Sequence, residues 1–411
     1  MDQRGDSVKI GVIGLGYVGL VTAAVLADHG NNLVGVDIDS EKIKKLKSGV
    51  SPIYEPHLNE YLDRNKTRLE FSTNYDSLIG CDAAFICTPT PTINGRIDTS
   101  YVEKSCKDLR EVNKTCTAII KSTVVPGTAR KIIYETGMNV ISNPEFTKEG
   151  TAIADTEHPD RIIIGGSDNE TAEEIWSFTD SNFIKTTNEN AELIKYASNA
   201  FLAMKISFIN EIADLCERIP GTDVDVIANG MGFDKRIAPY FLKAGIGFGG
   251  SCFPKDTKAL LGFAEDLKIP LRLVEATLEI NDSRITHALA IIRRVLPDVA
   301  LKRIGVLGIA FKDNTDDVRE SRSIKIIEGL LKLGYKVFAY DPRVTRAPAG
   351  SILCKTMEEC LEEGDIIVIA GEWDEFKSLE DKNISKPVID LKRLLNKNSI
   401  KHYTGVGIWT E

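Results

Sequence analysis

No stretch of this 411-residue chain approaches the roughly 20 consecutive apolar residues needed to span a bilayer, so no helical membrane anchor is expected. The first ten residues, MDQRGDSVKI, lack the apolar core of a signal peptide. There is no C-x-x-C pair, and Cys81, Cys87, Cys106, Cys116, Cys216, Cys252, Cys354 and Cys360 are too scattered for a disulfide scaffold. A reduced, cytosolic compartment is the expectation. Histidines are few and dispersed (His29, His57, His158, His287 and His402), and none lies in the glycine fingerprint, the cysteine loop or the paired-glutamate segment described below, which argues against a metal site and against a Ser-His-Asp triad. Positive charge is also short: Lys and Arg number 51 against 60 Asp and Glu, a net charge of −9. That balance argues against nucleic-acid or anionic-membrane partners, while leaving room for a local basic pocket that holds phosphates. What remains is 43% hydrophobic and 27% charged, ordinary for a soluble globular chain, and long enough for two to three domains of about 150 residues.

The opening segment VKIGVIGLGYVGLVTAAVLADHGNNLVGVDID reads as strand, tight turn, helix, strand. Residues 8–13 form a β-branched apolar run suited to a strand buried on both faces. The loop Gly14-Leu15-Gly16-Tyr17-Val18-Gly19 follows that strand and opens an apolar helical pattern, with Gly30 placed to stop the helix. Asp37 ends the next strand, about 18 positions past the last glycine. In this context the glycines allow a tight turn, close approach of a pyrophosphate and close helix packing. The helix N-terminus then offers N–H groups and a positive dipole end to the phosphate. Asp37 is suited to accept hydrogen bonds from a ribose diol and to repel a 2′-phosphate, which favours NAD over NADP.

Further apolar runs at 83–88, 118–123, 139–142 and 161–165 alternate with helical stretches. The alternation predicts an open parallel sheet, with ligands at the carboxyl ends of its strands. Thr88-Pro89-Thr90 and Ser122-Thr123 stand just past two such ends. Their hydroxyls suit a cofactor contact, and threonine is equally common in strands, so position alone leaves both readings standing. Between Glu189 and Ile219 there is neither Gly nor Pro, which predicts one helix of about 45 Å. Lys205 is the only charged residue between Lys195 and Glu211, so much of its circumference should be buried, in part at a subunit interface. Lys195 and Asn199 share a face of it.

After Pro297 the pattern restarts. Gly305 and Gly308 parallel Gly11 and Gly14, and Asp341 parallels Asp37, but the stretch from glycine to aspartate is about ten residues longer and lacks the full glycine fingerprint. Lys312, Arg319 and Arg322 occupy the altered loop. They suit a second phosphorylated ligand, although Asp313, Asp316, Asp317 and Glu320 beside them equally suit a solvated charge cluster. The predicted fold is α/β, two Rossmann-like doubly wound domains (1–188 and 298–411) joined by a central helical region (189–297).

The segment GIGFGGSCFPKDTKAL sets Cys252 after a glycine run, with Lys255 and Asp256 just beyond. Glycines allow a substrate to approach closely, and a nearby ammonium favours the thiolate. A cysteine is more commonly a small buried hydrophobe, the reading adopted for the other seven. In SNPEFTKEGTAI, Pro144 suits the first position of a helical turn, which would put Glu145 and Glu149 on one face before Gly150 ends it. One carboxylate would then act as a base, unless the pair merely complements a helix dipole.

Taken together, GLGYVG, KSTVVPGT, NPEFTKEGTAI, HPDRIIIGG, LIKYASNAF, GFGGSCFPKDTKAL and AFKDNTDDVRES resemble the nucleotide-sugar 6-dehydrogenases, in the same order and over nearly the whole chain. The segments IYEPHL, NPEFTKEGTAI and GFGGSCFPKD look more like the UDP-glucose branch than the branches that oxidise GDP-mannose or UDP-N-acetylmannosamine. The resemblance implies a cytoplasmic oxidoreductase that uses two NAD to take the C6 alcohol of UDP-glucose to UDP-glucuronate. The route runs through a thiohemiacetal and a thioester on Cys252. By the same resemblance Lys195 stabilises oxyanions, Asn199 hydrogen-bonds the reacting oxygen, and Asp256 assists proton removal with a water held near Thr123. Glu145 assists thioester hydrolysis and Glu149 lies between cofactor and sugar, with Phe146 in the same substrate segment. The nucleotide would lie against Phe241 and Lys243, near Gly249. Lys312 would touch substrate, Arg319 would reach NAD, and Lys42 would face the adenosine side. Arg236 would serve a neighbouring subunit's sugar site, implying a homodimer built on the long helix. Arg393, in DLKRLLN, matches a substrate arginine through a weaker flanking motif.

Overall fold

Strand β1 (Lys9–Ile13) is walled by apolar side chains on both faces, as its sequence predicts: Ile10 and Val12 enter one core and Ile13 the other. The structure, a computed structural model, describes residues 8–167, 170–296 and 302–409. The residues before Val8 and the domain boundary expected at Pro297 lie outside them. Residue contacts divide the chain into two compact units. One holds the chain up to Ser198 together with Lys258–Asp266, and the other holds Asn199–Thr257 together with the chain from Leu267 onward.

The first unit carries β1, β2 (Asn32–Val36), β3 (Leu69–Ser72), β4 (Ala83–Ile86), a short hairpin of β5 (Thr92–Ile93) and β6 (Arg96–Ile97), then β7 (Thr117–Ile120), β8 (Val140–Ser142), β9 (Arg161–Gly165) and β10 (Asn182–Thr186). Eight of them form one sheet in the order β10-β9-β8-β7-β4-β1-β2-β3. The six strands from β3 to β8 in that order are parallel, which is the doubly wound arrangement. The parallel pattern predicted for 161–165 stops there. Strand β9 meets β8 antiparallel through the single pair Ser142–Gly165, and β10 pairs parallel with β9. An antiparallel neighbour needs no long crossover helix, and the only helix between β8 and β9 is the six-residue Ala152–Glu157.

The second unit carries β11 (Arg303–Leu307), β12 (Lys336–Tyr340), β13 (Ile352–Leu353), β14 (Ile366–Ile369), β15 (Val388–Asp390) and β16 (Tyr403–Gly405). Its order, β13-β12-β11-β14-β15-β16, is parallel throughout and repeats that of the first six strands. In both sheets the order reverses beside the first strand, between β1 and β4 and between β11 and β14. The carboxyl ends there are the positions where such sheets bind ligands.

The predicted long helix runs Asn188–Cys216, 29 residues, and stops just short of Pro220 and Gly221. Within the single chain, Phe201, Phe208 and Leu215 of this helix are exposed, seven residues apart along one stripe.

Candidate active site

The first glycine loop is built as its spacing predicts. Gly14, at φ +92°, sits where a Cβ would lie 2.7 Å from the Cys87 carbonyl oxygen, and a Cβ on Gly19 would strike the Gly14 carbonyl. A Cβ on Gly16 would meet nothing within 4 Å, so that glycine faces open space in front of the helix Tyr17–Asp28. Such a helix N-terminus holds a pyrophosphate. Leu15 N–H donates to Asp37 Oδ2 at 2.8 Å, and Lys42 Nζ lies 2.6 Å from the same oxygen. Lys42 is therefore brought to Asp37. Past β4, Thr88 buries a hydroxyl that makes no hydrogen bond within the protein, beside Pro89 and Thr90. An orphaned hydroxyl at the switch point and an open glycine cradle both fit a dinucleotide. Ser122 differs: its hydroxyl donates to the Thr88 carbonyl oxygen at 2.6 Å, tying the ends of β4 and β7 together.

In the same unit, Lys195 is buried and paired with Glu145. Its ammonium donates to the Glu145 backbone carbonyl at 2.6 Å and to Oε1 at 2.9 Å. Burial opposes ionisation of Glu145, but the Lys195 charge and the Thr147 N–H and hydroxyl outweigh it and hold the carboxyl below its ordinary range. The predicted helical turn is absent. Residues 143–148 are irregular, and the next helix starts only at Ala152, so Glu145 and Glu149 share no helical face. Glu145 is oriented by a lysine fifty positions away, a tertiary contact that overrides the local signal. Phe146 stacks beneath the Arg161 guanidinium, 4.1 Å from its ring centre.

Two charged groups that sequence reasoning passed over stand in the same region. Glu192 accepts hydrogen bonds from Gly127 N–H (2.7 Å), Ala129 N–H (2.9 Å) and the Ser142 hydroxyl (3.3 Å). Burial nonetheless pushes its carboxyl up to about 7. With Thr123, Ser142 and Lys195 it lines a cavity of about 10 Å³, room for about one water. Lys121 is buried, 3.3 Å from Asn143 Oδ1 and 4.6 Å above the Trp176 ring, and burial pushes its ammonium down to about 8. The only sequence signal for either was membership of an already singled-out segment.

In the second unit Cys252, partly exposed, immediately precedes the helix Phe253–Asp266, a position whose dipole favours a thiolate. Asp256, in the first turn, is 1% exposed; its Oδ2 accepts from Asn199 Nδ2 and its Oδ1 from Lys255 Nζ, both at 2.6 Å. The Lys255 ammonium thus serves Asp256 directly. The neighbouring glycines admit other parts of the chain: a Cβ on Gly249 would strike the Glu320 carbonyl, and one on Gly250, at φ +83°, would lie 2.6 Å from the Phe311 ring. At both positions the loop after β11 packs closely against the glycine backbone.

That loop carries Lys312 and Arg319. Lys312 Nζ lies 6.0 Å from the Phe311 ring centre, and Arg319 grips Asp317 with Nε (2.8 Å) and Nη2 (2.6 Å). Arg322 is buried and donates to the Ile246 carbonyl, a packing role that removes it from the predicted cationic cradle. Arg236 is exposed and paired with Asp234 at 2.6 Å. Phe241 and Lys243 line a cavity of about 180 Å³ with Ile206, Glu372, Lys392 and the backbone of 244–247. Arg393 points elsewhere: at φ +53° it is buried against Asp223 (Nη2, 2.7 Å) and Asp225 (Nε, 2.8 Å), and its neighbour Lys392 takes the cavity. Among the described residues, Asp214, Glu217 and His287 could offer three atoms to a cation, but Arg284 already neutralises Asp214 at 2.5 Å.

Residues 8–178 match the NAD binding domain of the UDP-glucose/GDP-mannose dehydrogenase family, 189–283 its central domain, and 305–397 its UDP binding domain. The UDP-glucose 6-dehydrogenase TuaD of Bacillus subtilis (strain 168) is 43% identical over 394 residues, covering 90% of this chain and 85% of that protein. The solved UDP-glucose dehydrogenase of the hyperthermophilic archaeon Pyrobaculum islandicum is 34% identical with a TM-score of 0.93, each chain covered fully. The solved UDP-D-ManNAc dehydrogenase of Pyrococcus horikoshii is 30% identical with a TM-score of 0.88, covering 97% of this chain and 99% of that one. With the glycine cradle, the repeated sheet and the cysteine-headed helix in place, the chain belongs to the UDP-glucose/GDP-mannose dehydrogenase family of NAD-dependent oxidoreductases, all three of whose domains it carries.

Proposed function

We propose that the chain oxidises the C6 alcohol of UDP-glucose to the carboxylate of UDP-glucuronate through a covalent intermediate on Cys252. The observation that carries this reading is a cysteine at the head of a helix whose first turn holds Asp256, buried and hydrogen-bonded to Asn199. Gly14, Gly16, Gly19, Asp37, Lys42 and Thr88 hold the NAD, which when bound supplies the hydride acceptor for each of two oxidations. In the first, Asp256 relays the alcohol proton, through a water beside Thr123, as C6 becomes an aldehyde. The Cys252 sulfur then adds to C6, and the thiohemiacetal keeps the aldehyde from escaping. Loss of a second hydride and proton leaves a thioester. Water assisted by the ionised Glu145 cleaves the C–S bond, releasing the acid and restoring the thiol. Lys195 faces the negative charge that develops on the C6 oxygen, and Asn199 donates a hydrogen bond to it; such fixed donors are a large transition-state contribution.

Phe241 and Lys243 take the nucleotide, with Gly249, Lys312 and Lys392 toward the substrate and Glu149 and Arg319 toward the cofactor. A second copy covers Phe201, Phe208 and Leu215, bringing Arg236 to a neighbouring sugar site. The solved UDP-D-ManNAc dehydrogenase favours a second reading, a sister nucleotide sugar as substrate. A panel of UDP-glucose, UDP-N-acetylmannosamine and GDP-mannose, with NADH counted per sugar, decides between them. Two NADH per UDP-glucose are expected. Preferred turnover of another sugar overturns the substrate, and one NADH per sugar overturns the two-stage route.

A further inference from the structure

A carboxylate is an unexpected group to find in a cavity that takes a diphosphate. Glu372 lies just past β14, one of the two strands between which the second sheet reverses its order, and Lys392 lies just past the neighbouring β15. Lys243 reaches the same place from the segment that precedes the cysteine loop. Each oxygen of Glu372 is taken by one ammonium: Oε2 lies 2.5 Å from Lys243 Nζ, and Oε1 lies 2.9 Å from Lys392 Nζ. Burial would raise this carboxyl, and the two cations override it and hold it at about 2, so the bridge persists across the physiological range. All three groups line the cavity of about 180 Å³.

A lone lysine is a flexible point charge that loses side-chain entropy on being ordered. Two lysines at one anion site also repel one another. Glu372 relieves that repulsion and orders both chains before any ligand arrives, while each ammonium keeps two N–H groups for it. The cavity retains one net positive charge.

We propose that Glu372 is a positioning residue that presents Lys243 and Lys392 together to the substrate's diphosphate. The inference rests on the reading that this cavity takes the nucleotide. Its opposite is that Glu372 is only a countercharge, and the two predict changes of opposite sign. Titration of UDP into the enzyme by calorimetry separates them. If Glu372 positions, Glu372→Gln weakens UDP by about tenfold, because long side chains must now be ordered on binding, even though the site has gained a positive charge. The KM for UDP-glucose rises alike, with kcat within about twofold. Glu372→Asp keeps the charge but is one methylene too short to span both ammoniums, and it also weakens UDP. Unchanged or tighter UDP binding in Glu372→Gln, or wild-type affinity in Glu372→Asp, overturns the proposal. A wild-type enzyme that binds no UDP overturns both the proposal and the reading beneath it.

Discussion

Replacing Lys195 by Met should convert a balanced buried ion pair into an isolated buried carboxylate. Lys195 is 3% exposed and Glu145 8%, and the ammonium makes two contacts with the same glutamate. Removing one partner of such a pair costs about 3–5 kcal/mol, because the remaining charge keeps its desolvation penalty. For a unit of this size that corresponds to a fall of roughly 6–20 °C in melting temperature. The pH dependence should invert. In the wild type the Glu145 carboxyl is held below its ordinary 4.5, so its contribution is present above that pH and is lost as pH falls through the folded value. In Lys195→Met burial, the largest single influence, is opposed only by the Thr147 hydrogen bonds, so the folded value should rise above 4.5 and the variant should recover stability on acidification. Calorimetric melts between pH 8 and about pH 5 test this, with Lys195→Met/Glu145→Gln expected to regain most of the loss. A single variant within about 1 kcal/mol of wild type, or one whose deficit is flat with pH, would refute the reasoning.

Asp37→Ala should lower the preference for NAD over NADP by about tenfold to a hundredfold, since it removes a repulsion and frees Lys42 for a charged hydrogen bond to a 2′-phosphate. An unchanged kcat/KM ratio for the two cofactors would count against both residues. Glu192, pushed up to about 7, contributes stability that is fully present below 4.5 and declines as pH rises through 7, by about 3 kcal/mol. Glu192→Gln should flatten that slope in urea-denaturation midpoints; a slope equal to wild type would contradict the assignment.

Much of the frame was legible because it is locally encoded. The β-branched run before Gly14, the glycine spacing and the acid at the end of β2 are consequences of one strand–turn–helix unit, and they fold as read. The long helix was legible because nothing between Glu189 and Ile219 interrupts it. Where the reading departed, the deciding contact came from elsewhere in the chain. Pro144 and the two glutamates make a reasonable helical turn until Lys195 captures both the carbonyl and the carboxylate of Glu145. The glycines beside Cys252 also serve a packing that spacing does not show, since Gly249 and Gly250 admit Glu320 and Phe311. Lys392 and Arg393 are adjacent in sequence, and the left-handed backbone at Arg393, with its two aspartate partners, decides which of them lines the cavity. Lys121, Glu192 and Glu372 carried no spacing signal because each is defined by what surrounds it.

The central claim is a bond between the Cys252 sulfur and carbon six of the sugar. Mass spectrometry of enzyme quenched during turnover, using Glu145→Gln to slow the release of the acid, tests it directly. A peptide containing Cys252 that carries the mass of a UDP-glucuronyl thioester is the expected result. Sustained NADH formation with that peptide unmodified, or acid production by Cys252→Ala at the wild-type rate, would contradict it.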